Sequence, residues 1–226
     1  MLGVLLQRTR SPIEVVNDLN GHVTNWWEVV RDHTEELERW ITLTPDSRRT
    51  FYASKAALET ATDPVERAGH FSYVLLNSLF VRGDTYRNAT RPDKPWFNLR
   101  AQLSPYARRL ARVKLENLDA VELLEQVVDK PQAVIYCDPP YPGTKAPGLH
   151  GQNLPKFNAE EMCSVLVDAK AMVAVSGLAD SGYDLPGWHR SELAITNTLT
   201  FTPGSSRRVE VLWTNYYPHV ADRLFK

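Results

Sequence analysis

The stretch VIYCDPPYPGTK, Val134 to Lys145, runs an apolar segment into an aspartate, two prolines and a tyrosine. Proline donates nothing to a sheet ladder and holds the preceding residue in extended geometry, so Pro139-Pro140 ends a strand at Cys137. Turn chemistry alone accounts for that much, with Asp138 opening the turn and Tyr141 covering its edge or packing into a core. The four residues together also suit a chemical task. Two successive prolines leave carbonyl acceptors with no backbone N–H at 139 and 140, beside the Asp138 carboxylate. Such a cluster accepts hydrogen bonds from an exocyclic amino group, and the Tyr141 ring offers a plate for the flat face of the same base.

Outward from this strand the pattern is regular. Ala133 to Cys137 is a buried strand, and a helix that Asp119 caps, with Glu122 completing a capping box, precedes it and runs to Val128. Val113 to Asn117 reads as the strand before that helix. Downstream, Asn158 with Glu161 caps a further helix, Lys170 to Ser176 (KAMVAVS) is a strand, and Leu193 to Phe201 and Val209 to Thr214 are the last two. Toward the start, Ile13 to Asn17 is a short β-rich run, and Trp26, Val30, Leu37 and Ile41 recur at helical spacing. Asp63-Pro64-Val65-Glu66 opens a helix expected to bury Phe71, Leu75 and Leu79 on one stripe.

Strands alternating with capped helices predict an α/β protein, a mostly parallel sheet with helices on both faces. The last two strands have no helix between them and are expected as an antiparallel pair at one edge. Ligands of such sheets bind beyond the carboxyl ends of the strands. Asp18, Asp119 and Asp138 each follow a predicted strand, so they are the expected rim acids, although each alone would pass for a turn or cap residue.

The composition sets the frame for this reading. The chain has 226 residues, 43% hydrophobic and 23% charged, which is ordinary for a globular protein with one sizeable core. No apolar run is long enough for a bilayer and no signal-peptide pattern opens the chain, so no membrane role and a cytoplasmic location are expected. Cys137 and Cys163 give neither a disulfide framework nor metal-ligand spacing and read as small buried hydrophobes. His70, on or beside a helix stripe, reads as a packing or surface residue.

Net charge is −1, yet Arg82 to Lys114 holds nine cations against two anions. A neutral chain with one basic third has an address for phosphate, unless acids such as Glu35, Glu36 and Glu38 balance it in space. Arg82, Arg87, Arg91, Lys94 and Arg100 are the candidate phosphate contacts to nucleic acid in this turn-rich segment. Trp96 and Phe97 sit among them, as a small satellite core or, for Trp96, as a nucleic-acid contact.

Taken in order, VVNDLNGHVTNWWEVVRD (Val15 to Asp32), ERAGHFSYVLLNSLFVRG (Glu66 to Gly83), VIYCDPPY (Val134 to Tyr141), VSGLADSGYDLPGWHR (Val175 to Arg190) and RRVEVLWTNY (Arg207 to Tyr216) carry a resemblance. The chain resembles the Dam-type, S-adenosylmethionine-dependent DNA adenine-N6 methyltransferases, particularly the small phage-like members. The resemblance implies a Rossmann-like methyltransferase sheet formed by residues 1–44 and 111–226. It also implies an inserted, mainly helical DNA-recognition subdomain at 45–110. It implies that the Asp138 side chain and the Pro139 carbonyl hold the amino group of a flipped adenine, within the motif that Pro140 and Tyr141 complete, and that Tyr141 stacks on the base. By the same resemblance Asp18 holds the ribose hydroxyls of S-adenosylmethionine, Asp119 reads its adenine, Asp138 borders it, and Gly3 lets backbone approach its methionine moiety. The implied partner is double-stranded DNA, in a restriction-modification, phage or regulatory setting.

The chain departs from the family at its front. Members carry a Lys-Trp-containing stretch and a Gly-rich motif ahead of the Asn17-Asp18 strand end, whereas here Met1-Leu2-Gly3 already lies inside that motif. Three expectations stay open: an alternative start, a second polypeptide that completes the cofactor-binding half, or a catalytically impaired half that binds DNA or a partner without turnover. An amino-methyltransferase acting on RNA or protein is a further alternative, against which stand the leading Asp138 and the long basic segment. The DNA recognition sequence is not legible, because base-edge contacts depend on which few side chains enter a groove.

Overall fold

In the first half of the chain, Val15–Asn17 (β1) pairs in parallel with Lys114–Glu116 (β2), and among the described residues five helices lie between them in sequence. These are α1 (Gly21–Asp32), α2 (Thr34–Leu43), α3 (Arg48–Ala57), α4 (Pro64–Leu76) and α5 (Pro95–Leu110). The computed structural model describes residues 5, 7–79, 83–87, 95–140, 157–195 and 208–217. These fall into two compact units, one up to Leu118 and the other from Asp119 onward.

Local chemistry sets the helix ends of the first unit. Asn20 caps α1 by accepting from His22 N at 2.9 Å, Ser47 caps α3 from Thr50 N at 3.0 Å, and Asp63 caps α4 from Glu66 N at 2.8 Å with Pro64 in the first turn. The expected continuous spacing from Trp26 to Ile41 is in fact two helices broken at His33, whose backbone N–H closes α1 on the Val29 carbonyl. Helix α4 ends at Leu76, so the expected stripe is displaced. Phe71 and Val74 are buried, Leu75 is half-buried, and Leu79, past the helix end, is exposed. Trp96 is also corrected. Its ring is 1% exposed, edge-on to Tyr73 at 4.7 Å and to Trp40 at 6.1 Å, which removes it as a nucleic-acid contact.

The second unit is built on a four-stranded sheet in the order β3-β4-β6-β5, with β3 Val134–Cys137, β4 Met172–Leu178, β5 His189–Ile195 and β6 Arg208–Thr214. Strands β3 and β4 are parallel, while β6 runs antiparallel to both β4 and β5. The antiparallel C-terminal edge matches the expectation. The penultimate strand begins earlier than predicted, at His189, because its register against Thr214 at the end of β6 sets its start. Helices α6 (Ala120–Val127) and α7 (Ala159–Leu166) bring Leu124, Met162, Cys163 and Leu166 into a core with Val173, Val175, Val211 and Trp213 of the sheet.

Side chains alternate across a strand, so Ile135 and Cys137 point into that core while Val134, Tyr136 and Asp138 belong to the opposite face. Gly177 in β4 allows a close approach that no side chain would fit: a Cβ there would lie 2.6 Å from the Tyr183 ring and 3.1 Å from Trp213. No helix among the described residues is long and apolar enough to cross a membrane.

Candidate active site

The proline pair stops β3 as the sequence predicts. Asp138 follows the strand and is exposed, Pro139 is half-buried and Pro140 exposed. Strand β4 lies alongside in parallel, with Cys137 opposite Val175, and the next register step puts Asp138 beside Ser176. Ser176 Oγ is 2.8 Å from Asp138 Oδ1 and 3.2 Å from the Cys137 carbonyl, and the Tyr136 hydroxyl reaches Ser176 Oγ at 3.3 Å. The single Ser176 proton goes to the carboxylate, which is nearer and carries the charge, and Tyr136 donates to Ser176 in turn.

Burial pushes the Tyr136 phenol above its ordinary value; the Ser176 hydrogen bond pulls against this, and the Asp138 charge adds to it. The phenol therefore stays protonated as a donor. Cys137, on the other face, is pushed up to about 12 by burial, which makes it an inert packing thiol as expected, and burial raises Cys163 too.

In the first unit the strand ends form their own tied corner. Asp18 is half-buried just past β1, its N–H donates to the Glu116 carbonyl at 3.3 Å, and its Oδ1 accepts from Asn20 N at 2.8 Å. Asn117 Nδ2 donates to the Asp18 carbonyl at 2.7 Å. Asn17 brackets the neighbouring loop, donating from Nδ2 to the Leu118 carbonyl at 3.0 Å and accepting the Leu118 N–H on Oδ1 at 2.9 Å. Three bonds thus hold the Asp18 loop, and two more tie the neighbouring loop to Asn17.

Asp119, exposed at the start of the second unit, caps α6 by accepting from Val121 N at 2.8 Å; the capping-box arrangement with Glu122 is replaced by this shorter-range bond. Arg87 is half-buried, its backbone N–H given to the Asn77 carbonyl at 2.7 Å, and Arg100 is exposed on α5. Gly3, Arg82, Arg91, Lys94 and Tyr141 lie outside the described residues.

Sequence reading missed Ser176, Tyr136, Asn17 and Asn117. The signal for Ser176 was its place at the end of KAMVAVS, but only the parallel register joins it to Asp138. His22 and His70, both pushed below the ordinary histidine value chiefly by burial, pack against Phe71 and Trp40 respectively.

A family model described as D12 class N6 adenine-specific DNA methyltransferase matches residues 3–170 of the chain. The comparison with curated proteins finds no match.

Proposed function

Because the chain belongs to the D12 class N6 adenine-specific DNA methyltransferases, we propose that Asp138 and the Pro139 carbonyl form its amine-gripping site, with S-adenosylmethionine as methyl donor. The observation that carries this is the Asp138 carboxylate, held on Oδ1 by Ser176 at the end of a strand that two prolines stop. An adenine amino group is a poor nucleophile, since its lone pair is conjugated into the ring. Two acceptors on its N–H bonds draw the nitrogen toward tetrahedral geometry and localise that pair. The residues thus fix approach geometry and stabilise developing positive charge, with no strong base required.

The residues proposed for the cofactor are Gly3, Asp18, Asp119 and Asp138. Within the first unit the chemistry of Asp18 suits ribose hydroxyls, since its loop is tied by Asn20 and Asn117; within the second, Asp119 and Asp138 are exposed carboxylates of the kind that accept from an amino group. When bound, S-adenosylmethionine supplies an electrophilic methyl. The chain's own part is to hold donor groups on carboxylates and to bring the adenine amine into line.

An adenine inside a duplex is out of reach, so it leaves the stack at a cost of a few kcal/mol. Stacking on Tyr141 returns about 1–3 kcal/mol, and phosphate contacts from Arg82, Arg87, Arg91, Lys94 and Arg100 supply the remainder. In this reading residues 1–44 and 111–226 form a Rossmann-like catalytic domain, and 45–110 carry target recognition. The test is product identity. Duplex DNA incubated with the protein and S-adenosylmethionine, then digested to nucleosides, yields N6-methyladenine; DNA that gains no methyl group, or gains it elsewhere, contradicts the reading.

A further inference from the structure

We propose that Ser176 is a positioning residue for the methyl transfer: its hydroxyl locks one oxygen of Asp138 so that the other is presented to the substrate amine. This rests on the role proposed above for Asp138. Ser176 stands on β4, on the sheet face opposite α6 and α7, and its Oγ lies 2.8 Å from Asp138 Oδ1. Asp138 Oδ2 takes no hydrogen bond among the described residues. A carboxylate at an exposed strand end rotates freely unless one oxygen is held, and a rotating acceptor spends little time in line with an N–H bond.

Ser176 has one proton, and the bond from Tyr136 at 3.3 Å leaves that proton for Asp138. Tyr136, Ser176 and Asp138 therefore form a chain of donors running toward the carboxylate, each polarising the next. Burial and the adjacent Asp138 charge keep the Tyr136 phenol protonated, so the chain keeps its direction. Asp138 itself is exposed at the strand end, so the carboxylate that terminates the chain of donors is open to an approaching substrate.

The pair Ser176→Thr and Ser176→Val tests this, because the two side chains share a shape that suits a strand and differ in the hydroxyl. We expect Ser176→Val to lower kcat for methyl transfer to duplex DNA by about tenfold to a hundredfold, the range for a hydrogen bond to a charged group. Affinities for S-adenosylmethionine and DNA stay at their wild-type values, and Ser176→Thr restores most of kcat. Asp138→Ala serves as the reference. If Asp138→Ala is inactive while Ser176→Val keeps full kcat, the positioning role falls and that of Asp138 stands. If Asp138→Ala is fully active, the site assignment itself falls. If Ser176→Thr and Ser176→Val lose activity alike, or Ser176→Val weakens ligand affinity or melting as much as kcat, the hydroxyl is not the cause and the inference is overturned.

Discussion

Asn117 Nδ2 donates to the main-chain carbonyl of Asp18 at 2.7 Å, so a residue at the end of β2 fixes the loop that follows β1. Losing one such bond removes about 0.5–1.5 kcal/mol. Asn117→Ala should weaken S-adenosylmethionine binding up to about tenfold by calorimetry, and Asp18→Ala should weaken it further. Unchanged cofactor affinity in both variants would separate this loop from the cofactor.

Gly69 in α4 lies against the Trp40 indole: a Cβ there would sit 2.4 Å from Cδ2 and 2.6 Å from Cε3. Trp40 in turn stands edge-on to Trp96 at 6.1 Å and His70 at 5.0 Å, so it has little room to yield. Gly69→Ala should destabilise by about 1–3 kcal/mol through overpacking, read as a fall in melting temperature by circular dichroism. A melting curve that does not move would show that the indole shifts freely.

Arg109 grips Glu14 through two bonds, Nη1 to Oε2 at 2.5 Å and Nη2 to Oε1 at 2.6 Å, while its Nε donates to the Leu5 carbonyl at 2.9 Å. Both side chains are nearly buried, at 8% and 11% exposure. The Arg109 hydrogen bond holds the Glu14 carboxyl below its ordinary value, against the opposing effect of burial. A depressed carboxylate stabilises the fold fully above its unfolded value, and that stability fades as pH falls through the folded value. Arg109→Ala removes the bidentate partner of Glu14, leaving it the Ser11 N–H at 3.2 Å, and should cost about 1–3 kcal/mol in denaturant melts near neutral pH. The difference from wild type should shrink in acid; a difference independent of pH contradicts the pairing.

Neutralising Arg87, Arg91 and Arg100 together should weaken duplex DNA binding and flatten the plot of log affinity against log salt by nearly three, about 0.9 for each lost phosphate contact. Fluorescence anisotropy across a salt series measures this. An unchanged slope would mean these cations face something other than phosphate.

What was legible in the sequence was what local chemistry decides. Asp63-Pro64, Asp119 and Asn158 open their helices because a side-chain acceptor before an apolar run acts within three residues. Asp-Pro-Pro ends β3 for an equally local reason. What was not legible depends on partners distant in the chain. The start of β5 is set by its ladder to β6, and Ser176 meets Asp138 only through the parallel register of β3 with β4. Trp96 sits among cations in sequence, which suggested a surface, yet Trp40 of α2 and Tyr73 of α4 close over its indole. The Trp26 to Ile41 periodicity hid the break at His33 because the apolar phase resumes beyond it.

The most direct measurement is methyl transfer to duplex DNA by Asp138→Ala, taken together with its S-adenosylmethionine affinity. Transfer should be abolished while cofactor binding is largely retained, since the proposal turns the Asp138 carboxylate to the base and has it only border the cofactor. A variant that methylates adenine at the wild-type rate would contradict the account.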